Sequence, residues 1–127
     1  YLGSKVVQLF LPGGTHAIRA AVYFVAMFLS MFMNNSATVA IMGPMAADIA
    51  KQAGAETEAE LQQAVKCLIM LIVYGAGTCL MTPLGYQTNL MVMPEGGYVF
   101  SDFTKYGAPV QVLHMISSLV LVWLMFD

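Results

Sequence analysis

Two polar segments lie inside apolar stretches of the sequence that carry no formal charge. The first is NNSAT at residues 34–38, within the uncharged run 20–47, and the second is TPLGYQTN at residues 82–89, within the uncharged run 67–94. Amides, hydroxyls and unwound backbone are costly in lipid, so they occur there only where protein encloses a site. The two segments therefore predict a binding site at mid-membrane depth.

The composition predicts an integral, multi-pass membrane protein. The 127 residues are 59% hydrophobic and only 9% charged, whereas a soluble domain carries about a quarter charged residues. The net charge of −2 and the lack of a basic run argue against a nucleic-acid partner. The lipid bilayer is the expected partner.

The sequence offers little for catalysis. Two cysteines and two histidines lack the spacing of a metal site, and the apolar runs hold neither a nucleophile–base pair nor a carboxylate pair. We therefore expect no enzyme activity and no cofactor. The chain starts at Tyr1 rather than Met, so we also expect it to be a piece of a longer protein.

Apolar runs and helix breakers predict an all-α integral membrane fold in four parts. These are an amphipathic lead over residues 1–14, a helical hairpin over 15–50, a broken helix over 56–94 and a final transmembrane helix over 101–126. A capping sequence, Thr57 to Glu60, is predicted to start the helix that enters the second uncharged run.

The first polar segment leaves two models for the hairpin region. Residues 20–33 would reach about 21 Å as a helix and residues 37–47 about 16 Å, both short of a hydrocarbon core of roughly 30 Å. The region is either one tilted helix with a polar middle or a re-entrant hairpin whose half-helices meet at residues 34–36. We favour the hairpin, because two Asn and a Ser would lack partners in a lipid-facing span. Pro44 bends the second limb in either model.

The second polar segment predicts a helix that breaks at mid-depth. Pro83 lacks a backbone N–H and disfavours helical geometry at Thr82, so a helix over residues 67–81 is expected to stop there. Gly85 permits unwound backbone, and residues 87–93 resume as a second half-helix. Such a break exposes carbonyl oxygens from its first half and amide donors from its second, which suits a cation and an anion.

The final helix is the plain full-length span, with residues 107–126 reaching about 30 Å. It contains His114 and the pair Ser117-Ser118, whose simplest interpretation is helix packing. The alternative interpretation of an intramembrane histidine is a proton relay.

Three segments together resemble the divalent anion–sodium symporters of the ion transporter superfamily. MNNSATVA at residues 33–40 resembles the Ser-Asn-Thr-type hairpin tip of that family, and TPLGYQTNLMV at 82–92 resembles its unwound loop. PEGGYVFSDFTKYG at 94–107 is similar to the link to the family's last helix. The tip departs from the family pattern at Asn34, where Ser is common, and at Ser36, where Thr is common.

The resemblance implies a segment of an inverted-repeat secondary transporter, the C-terminal part of its second repeat. Such a protein would couple sodium to the import of a small anion, of the sulfate or dicarboxylate type. Asn35 and Ser36 would bind the anion. Sodium would be the coupling ion and is the one metal that the resemblance implies. It would be bound by Asn34, Asn35, Ser36, Thr82, Pro83, Gly85 and Asn89. A first repeat or another membrane subunit would complete the site. The alternative is a non-transporting accessory subunit of a larger membrane complex, derived from such a transporter.

Overall fold

The computed structural model describes residue 5 and residues 13–126. Residues 13–126 form six α-helices and no strand, in keeping with the predicted all-α fold. The helices are α1 (Gly14–Ser30), α2 (Asn35–Met42), α3 (Met45–Gln52), α4 (Glu58–Gly77), α5 (Gln87–Gly96) and α6 (Phe100–Phe126). The amphipathic lead predicted over residues 1–14 lies almost entirely outside the described residues.

The first polar segment separates two helices, so residues 15–50 do not form one uninterrupted helix. Helix α1 ends at Ser30, and a turn leads to Asn34, the N-cap of α2. Pro44, which was expected to bend the second limb, lies between α2 and α3 and cannot donate a backbone hydrogen bond. Residues of α1, α2 and α3 share one buried apolar cluster with α4.

Helix α4 starts as predicted and ends earlier than predicted. Thr57 and Glu60 form the expected capping box. The helix stops at Gly77 instead of continuing to residue 81, and residues 78–86 are non-helical until α5 begins. Helix α5 in turn continues through Pro94 to Gly96 instead of ending before the proline. We call residues 78–86 the break, and residues 32–36 the tip.

Backbone groups at and just beyond the end of α4 have hydrogen-bond partners on other helices. A continued helix would need the carbonyl of Ala76 to accept from the N–H of Leu80. The Ser30 hydroxyl from α1 lies 2.6 Å from that carbonyl. The N–H of Leu80 is instead bound by the side-chain oxygen of Gln111, on α6. Two distant side chains thus replace the helical hydrogen bond.

Two buried clusters hold the helices together. The larger one joins α1, α2, α3 and α4 and includes Ile18, Val22, Met42, Ala46, Ile49, Leu68 and Ile72. The smaller one lies where α1, α4 and α6 meet and contains Tyr23, Cys67, Leu71 and Val122. Burying a side chain of this size contributes about 1.5–3 kcal/mol, so these clusters fix the positions of the tip and the break.

Helix α6 exposes large apolar side chains and buries two polar ones. It has 27 residues, about 40 Å of helix, and both α4 and α6 are long and apolar enough to cross a membrane. The buried residues of α6 are Gln111, Ser118 and Val122, whereas leucines such as Leu113 and Leu124 are about two-thirds exposed. This distribution suits a helix with lipid or other membrane helices around its apolar surface.

Candidate functional site

The tip and the break line one open cavity of about 320 Å³. The tip contributes Asn34, Asn35 and Ser36, and the other wall is formed by Gly85, Tyr86, Gln87 and Thr88. The lining is about half polar, in contrast to the apolar clusters around it. The two polar segments, which are far apart in the sequence, are therefore neighbours in space. We call this space the tip–break cavity.

Two helix N-termini meet at the tip–break cavity. Helix α2 begins at Asn35 and helix α5 begins at Gln87, and both residues line the cavity. The first N–H groups of a helix have no partner within that helix, and the helix dipole adds positive potential at the same end. An anion in the cavity would thus meet amide donors from two directions.

Asn34 shapes the tip by capping α2. Its side-chain oxygen accepts a hydrogen bond from the N–H of Ala37 at 2.7 Å, in an exposed position. Its backbone carbonyl accepts from both the N–H and the hydroxyl of Thr38, at 3.1 and 3.3 Å. Both oxygens of Asn34 already have hydrogen-bond donors, and this cap holds the start of α2 against the cavity.

Asn35 and Ser36 lie between two cavities. Both residues line the tip–break cavity and also a second open cavity of about 530 Å³ against α4. The side-chain oxygen of Asn35 lies 2.8 Å from the Ser30 hydroxyl, which itself lies 2.6 Å from the carbonyl of Ala76. This chain of contacts connects the start of α2, the end of α1 and the end of α4.

The break is bound to the C-terminal end of α1. The Thr82 hydroxyl donates to the carbonyl of Met31 at 2.7 Å, and the Cys79 thiol donates to the carbonyl of Ser30 at 3.0 Å. Because a hydroxyl has one proton and two lone pairs, Thr82 keeps lone pairs for another partner. Carbonyls at a helix C-terminus carry negative potential, which favours a cation beside them.

Gly85 lies so close to α1 that no side chain fits. An added Cβ would lie 1.9 Å from the carbonyl oxygen of Ser30 and 2.0 Å from the Cys79 sulfur. The neighbouring Pro83 is fully buried. Of the seven residues predicted to bind sodium or anion, Asn34, Asn35, Ser36 and Gly85 line the tip–break cavity, and Thr82 is attached to the residue that precedes the tip.

Asn89 occupies a different position. Its side-chain amide donates to the carbonyl of Cys79 at 3.3 Å. It lines a separate cavity of about 320 Å³ with Tyr98, Phe103 and other residues of the α5–α6 region. The structure therefore does not place Asn89 with the residues of the tip around the tip–break cavity.

His114 belongs to a cluster of hydroxyls that the sequence alone did not reveal. Its Nδ1 lies 2.8 Å from the Thr78 hydroxyl, 3.2 Å from that of Ser118 and 3.3 Å from that of Tyr23. The Thr78 hydroxyl donates to the carbonyl of Tyr74, so it can accept from Tyr23 and His114. These contacts join α1, α4 and α6 at the start of the break.

The oxygen atoms around the tip and the break suit a hard cation better than a soft transition metal. Residues 13–126 contain no group of three or more His, Cys, Asp or Glu side chains that could hold a metal ion. The available donors are hydroxyl, amide and carbonyl oxygens, which suit hard cations.

Comparison with known proteins identifies the family. The family model described as citrate transporter matches residues 1–127, the whole chain. The chain belongs to the citrate transporter family. As a member of this transporter family it is an integral membrane protein, in agreement with the two helices that are long enough to span a bilayer.

Relatives of this citrate transporter family member support the resemblance to anion–sodium symporters. Sodium/sulfate cotransporter 1 of Chlamydomonas reinhardtii is 38% identical over 87% of this chain. A Chlamydomonas reinhardtii protein named as a sulfur deprivation response regulator is 35% identical over 99% of it. An uncharacterised transporter of Synechocystis is 32% identical over 87% of it.

The matches cover most of this chain and only a small part of the relatives. The chain spans 12% of the sodium/sulfate cotransporter, 20% of the regulator and 17% of the Synechocystis transporter. No solved structure matches the chain significantly.

Proposed function

We propose that the chain is part of a secondary transporter that couples sodium to the import of a small anion of the sulfate or dicarboxylate type. The observation that carries this proposal is the tip–break cavity, where two helix N-termini and hydroxyl and carbonyl oxygens come together. The names of the relatives support the same substrate class. They do not favour the alternative of an accessory subunit.

In this proposal the anion binds at the start of α2, to Asn35 and Ser36. The amide of Asn35 and the hydroxyl of Ser36 add donors to the free N–H groups of that helix end. Sodium binds next to it, to oxygens of residues 34–36 and of Thr82, Pro83 and Gly85. Asn89 lies apart from the tip and supports this site by donating a hydrogen bond to the carbonyl of Cys79 in the break.

Binding the two ions side by side explains why transport of one would depend on the other. An anion alone in a poorly solvated site is unfavourable, and a sodium ion a few ångströms away offsets its charge. The rest of the site would come from residues beyond this chain, a first repeat or another subunit, because the relatives are several times longer.

We also infer that the hairpin is re-entrant. Helix α1 reaches about 26 Å and α2 about 12 Å, and the end of α1 and the start of α2 both lie beside the end of α4. Both ends of the hairpin then lie on one side of the membrane. Single cysteines at the exposed positions Thr15 and Gln52, in a protein without other cysteines, should react with an impermeant maleimide from the same side. Reaction from opposite sides would contradict the model.

Uptake by the full-length protein in proteoliposomes tests the site. Asn35→Ala and Thr82→Ala should each lower sodium-dependent uptake of labelled sulfate by about tenfold or more, since each removes a hydrogen bond to a charged ligand or its cage. Ser117→Ala is the matched control, because its exposed hydroxyl bonds only within α6. Undiminished uptake in both variants would rule out the site, and wild-type uptake that ignores sodium would rule out the coupling.

A further inference from the structure

Five residues of α6 form one polar or small stripe along the helix. Thr104, Gly107, Gln111, His114 and Ser118 recur at alternating intervals of three and four residues, which places them on one face. Four of them contact the break. Thr104, Gly107 and Gln111 meet the backbone of residues 80 and 81, and His114 meets residue 78. We call these five residues the α6 stripe.

Gln111 is the centre of the α6 stripe. It is 1% exposed, and its Oε1 accepts from the N–H of Leu80 at 3.2 Å and from the N–H of Met81 at 2.9 Å. One side-chain oxygen therefore satisfies two consecutive N–H groups of unwound backbone. Buried N–H groups without such a partner are costly.

The neighbours of Gln111 fix the same two residues of the break. The Thr104 hydroxyl donates to the carbonyl of Met81 at 3.1 Å. A Cβ added at Gly107 would lie 2.0 Å from the carbonyl oxygen of Leu80, so α6 approaches the break as closely as a glycine allows. The backbone of Leu80 and Met81 is thus held on both its N–H and its carbonyl side.

The residue that follows, Thr82, is held by the end of α1. Thr82 donates to Met31 on the α1 side, while Met81 is bound to α6. The orientation of Thr82 toward the tip consequently depends on two helices. Gln111 itself does not line the tip–break cavity, whose walls come from the tip and from residues 85–88.

We propose that Gln111 is a positioning residue for the sodium site, an inference that rests on the proposed function above. By holding the N–H groups of Leu80 and Met81, it orients the break so that Thr82 and Gly85 face the end of α1 and the tip. Its Nε2 has no hydrogen-bond partner among residues 13–126. Among the described residues, it is therefore the side-chain oxygen of Gln111 that holds the break.

Two substitutions at this position separate the acceptor from the rest of the side chain. Gln111→Met keeps the length and removes the acceptor, whereas Gln111→Glu keeps acceptor oxygens and removes the unpartnered amide nitrogen. The full-length protein is purified in detergent, and its thermal unfolding is followed while sodium replaces N-methylglucamine at constant ionic strength. The stabilisation grows as RT ln(1 + [Na⁺]/Kd), so the sodium concentration at which the rise in unfolding temperature sets in measures sodium affinity without reference to the anion.

We expect Gln111→Met to raise that sodium concentration by about tenfold and Gln111→Glu to change it by less than about threefold. Sulfate uptake at saturating sodium should keep a KM close to that of the wild type in both variants. If Gln111 only stabilised the fold, its substitution would lower the unfolding temperature and leave unchanged the sodium concentration at which the rise sets in. Equal sodium concentrations in wild type and Gln111→Met would therefore overturn the proposal.

A second variant covers the case in which Gln111→Met does not fold. Thr104→Val removes the exposed hydrogen bond to the carbonyl of Met81 and should raise the same sodium concentration by about twofold to threefold. No change in Thr104→Val would then overturn the role of the α6 stripe. A wild-type protein without any sodium-dependent shift would overturn the proposed function itself, which separates the two failures.

Discussion

The tip and the break are both interruptions of a helix, but they are stabilised differently. At the tip, Asn34 satisfies backbone groups three and four residues away. At the break, the partners are far away in the sequence: Ser30 and Met31 on α1, and Gln111 on α6. The tip is a local structure, whereas the break depends on the assembly of three helices.

This difference indicates which interruption is sensitive to distant changes. A cap forms wherever its own short sequence is present, because its donor and acceptor lie within one turn. The break keeps its shape only while α1 and α6 hold it. Substitutions at the contacts of the break should consequently cost more free energy of unfolding than substitutions at the tip.

The largest effect is expected for Gly85→Ala. The added methyl group would overlap the carbonyl of Ser30 and the sulfur of Cys79, and a backbone carbonyl cannot move away cheaply. We expect a loss of about 3 kcal/mol in the free energy of unfolding, measured by titration with a denaturing detergent in mixed micelles. Gly77→Ala is the control, because no atom lies within 4 Å of its added Cβ. Equal stability of the two variants would refute the close contact between break and α1.

An intermediate effect is expected for Thr78→Val, which removes a hydroxyl and keeps the shape. Thr78 is buried and meets the fully buried Tyr23 hydroxyl at 3.1 Å and His114 at 2.8 Å. Weakening this cluster should cost about 2 kcal/mol by the same titration. Ser117→Ala, an exposed hydroxyl on the same helix as His114, should change stability by less than about 0.5 kcal/mol. A Thr78→Val protein as stable as that control would show that the cluster contributes nothing.

The smallest effect is expected at the tip, for Asn34→Ala. Loss of an N-cap costs about 1 kcal/mol, and Asn34→Asp should restore most of it because aspartate caps as well as asparagine. Thermal unfolding of the three proteins in detergent measures this series. If Asn34→Ala lowered the stability of the protein as much as Gly85→Ala, the contrast between a local tip and a long-range break would be refuted.

The locally determined parts of the fold could be predicted from the sequence. The capping box of Thr57 and Glu60 was predicted correctly, because it depends on residues that are neighbours in the chain. The helix over residues 101–126 was predicted within one residue of α6, because a long uninterrupted apolar run has few alternatives.

The long-range parts could not be predicted in the same way. The partners of the backbone at the end of α4 include Ser30 and Gln111, which no local pattern connects to it. The α6 stripe was present in the sequence as a regular spacing of polar and small residues, but the strongly apolar character of α6 concealed it. The separation of Asn89 from the tip likewise follows from the path of residues 78–86, which the sequence does not specify.

The contact between Cys79 and α1 makes the reactivity of the Cys79 thiol a measure of how the break moves. The thiol is 2% exposed and bonded to the carbonyl of Ser30, so an alkylating reagent reaches it only when the break has moved away from α1. The alkylation rate then measures how often that separation occurs. Cys67 is buried in the cluster formed by α1, α4 and α6 and records, in the same molecule, how often the helices themselves come apart.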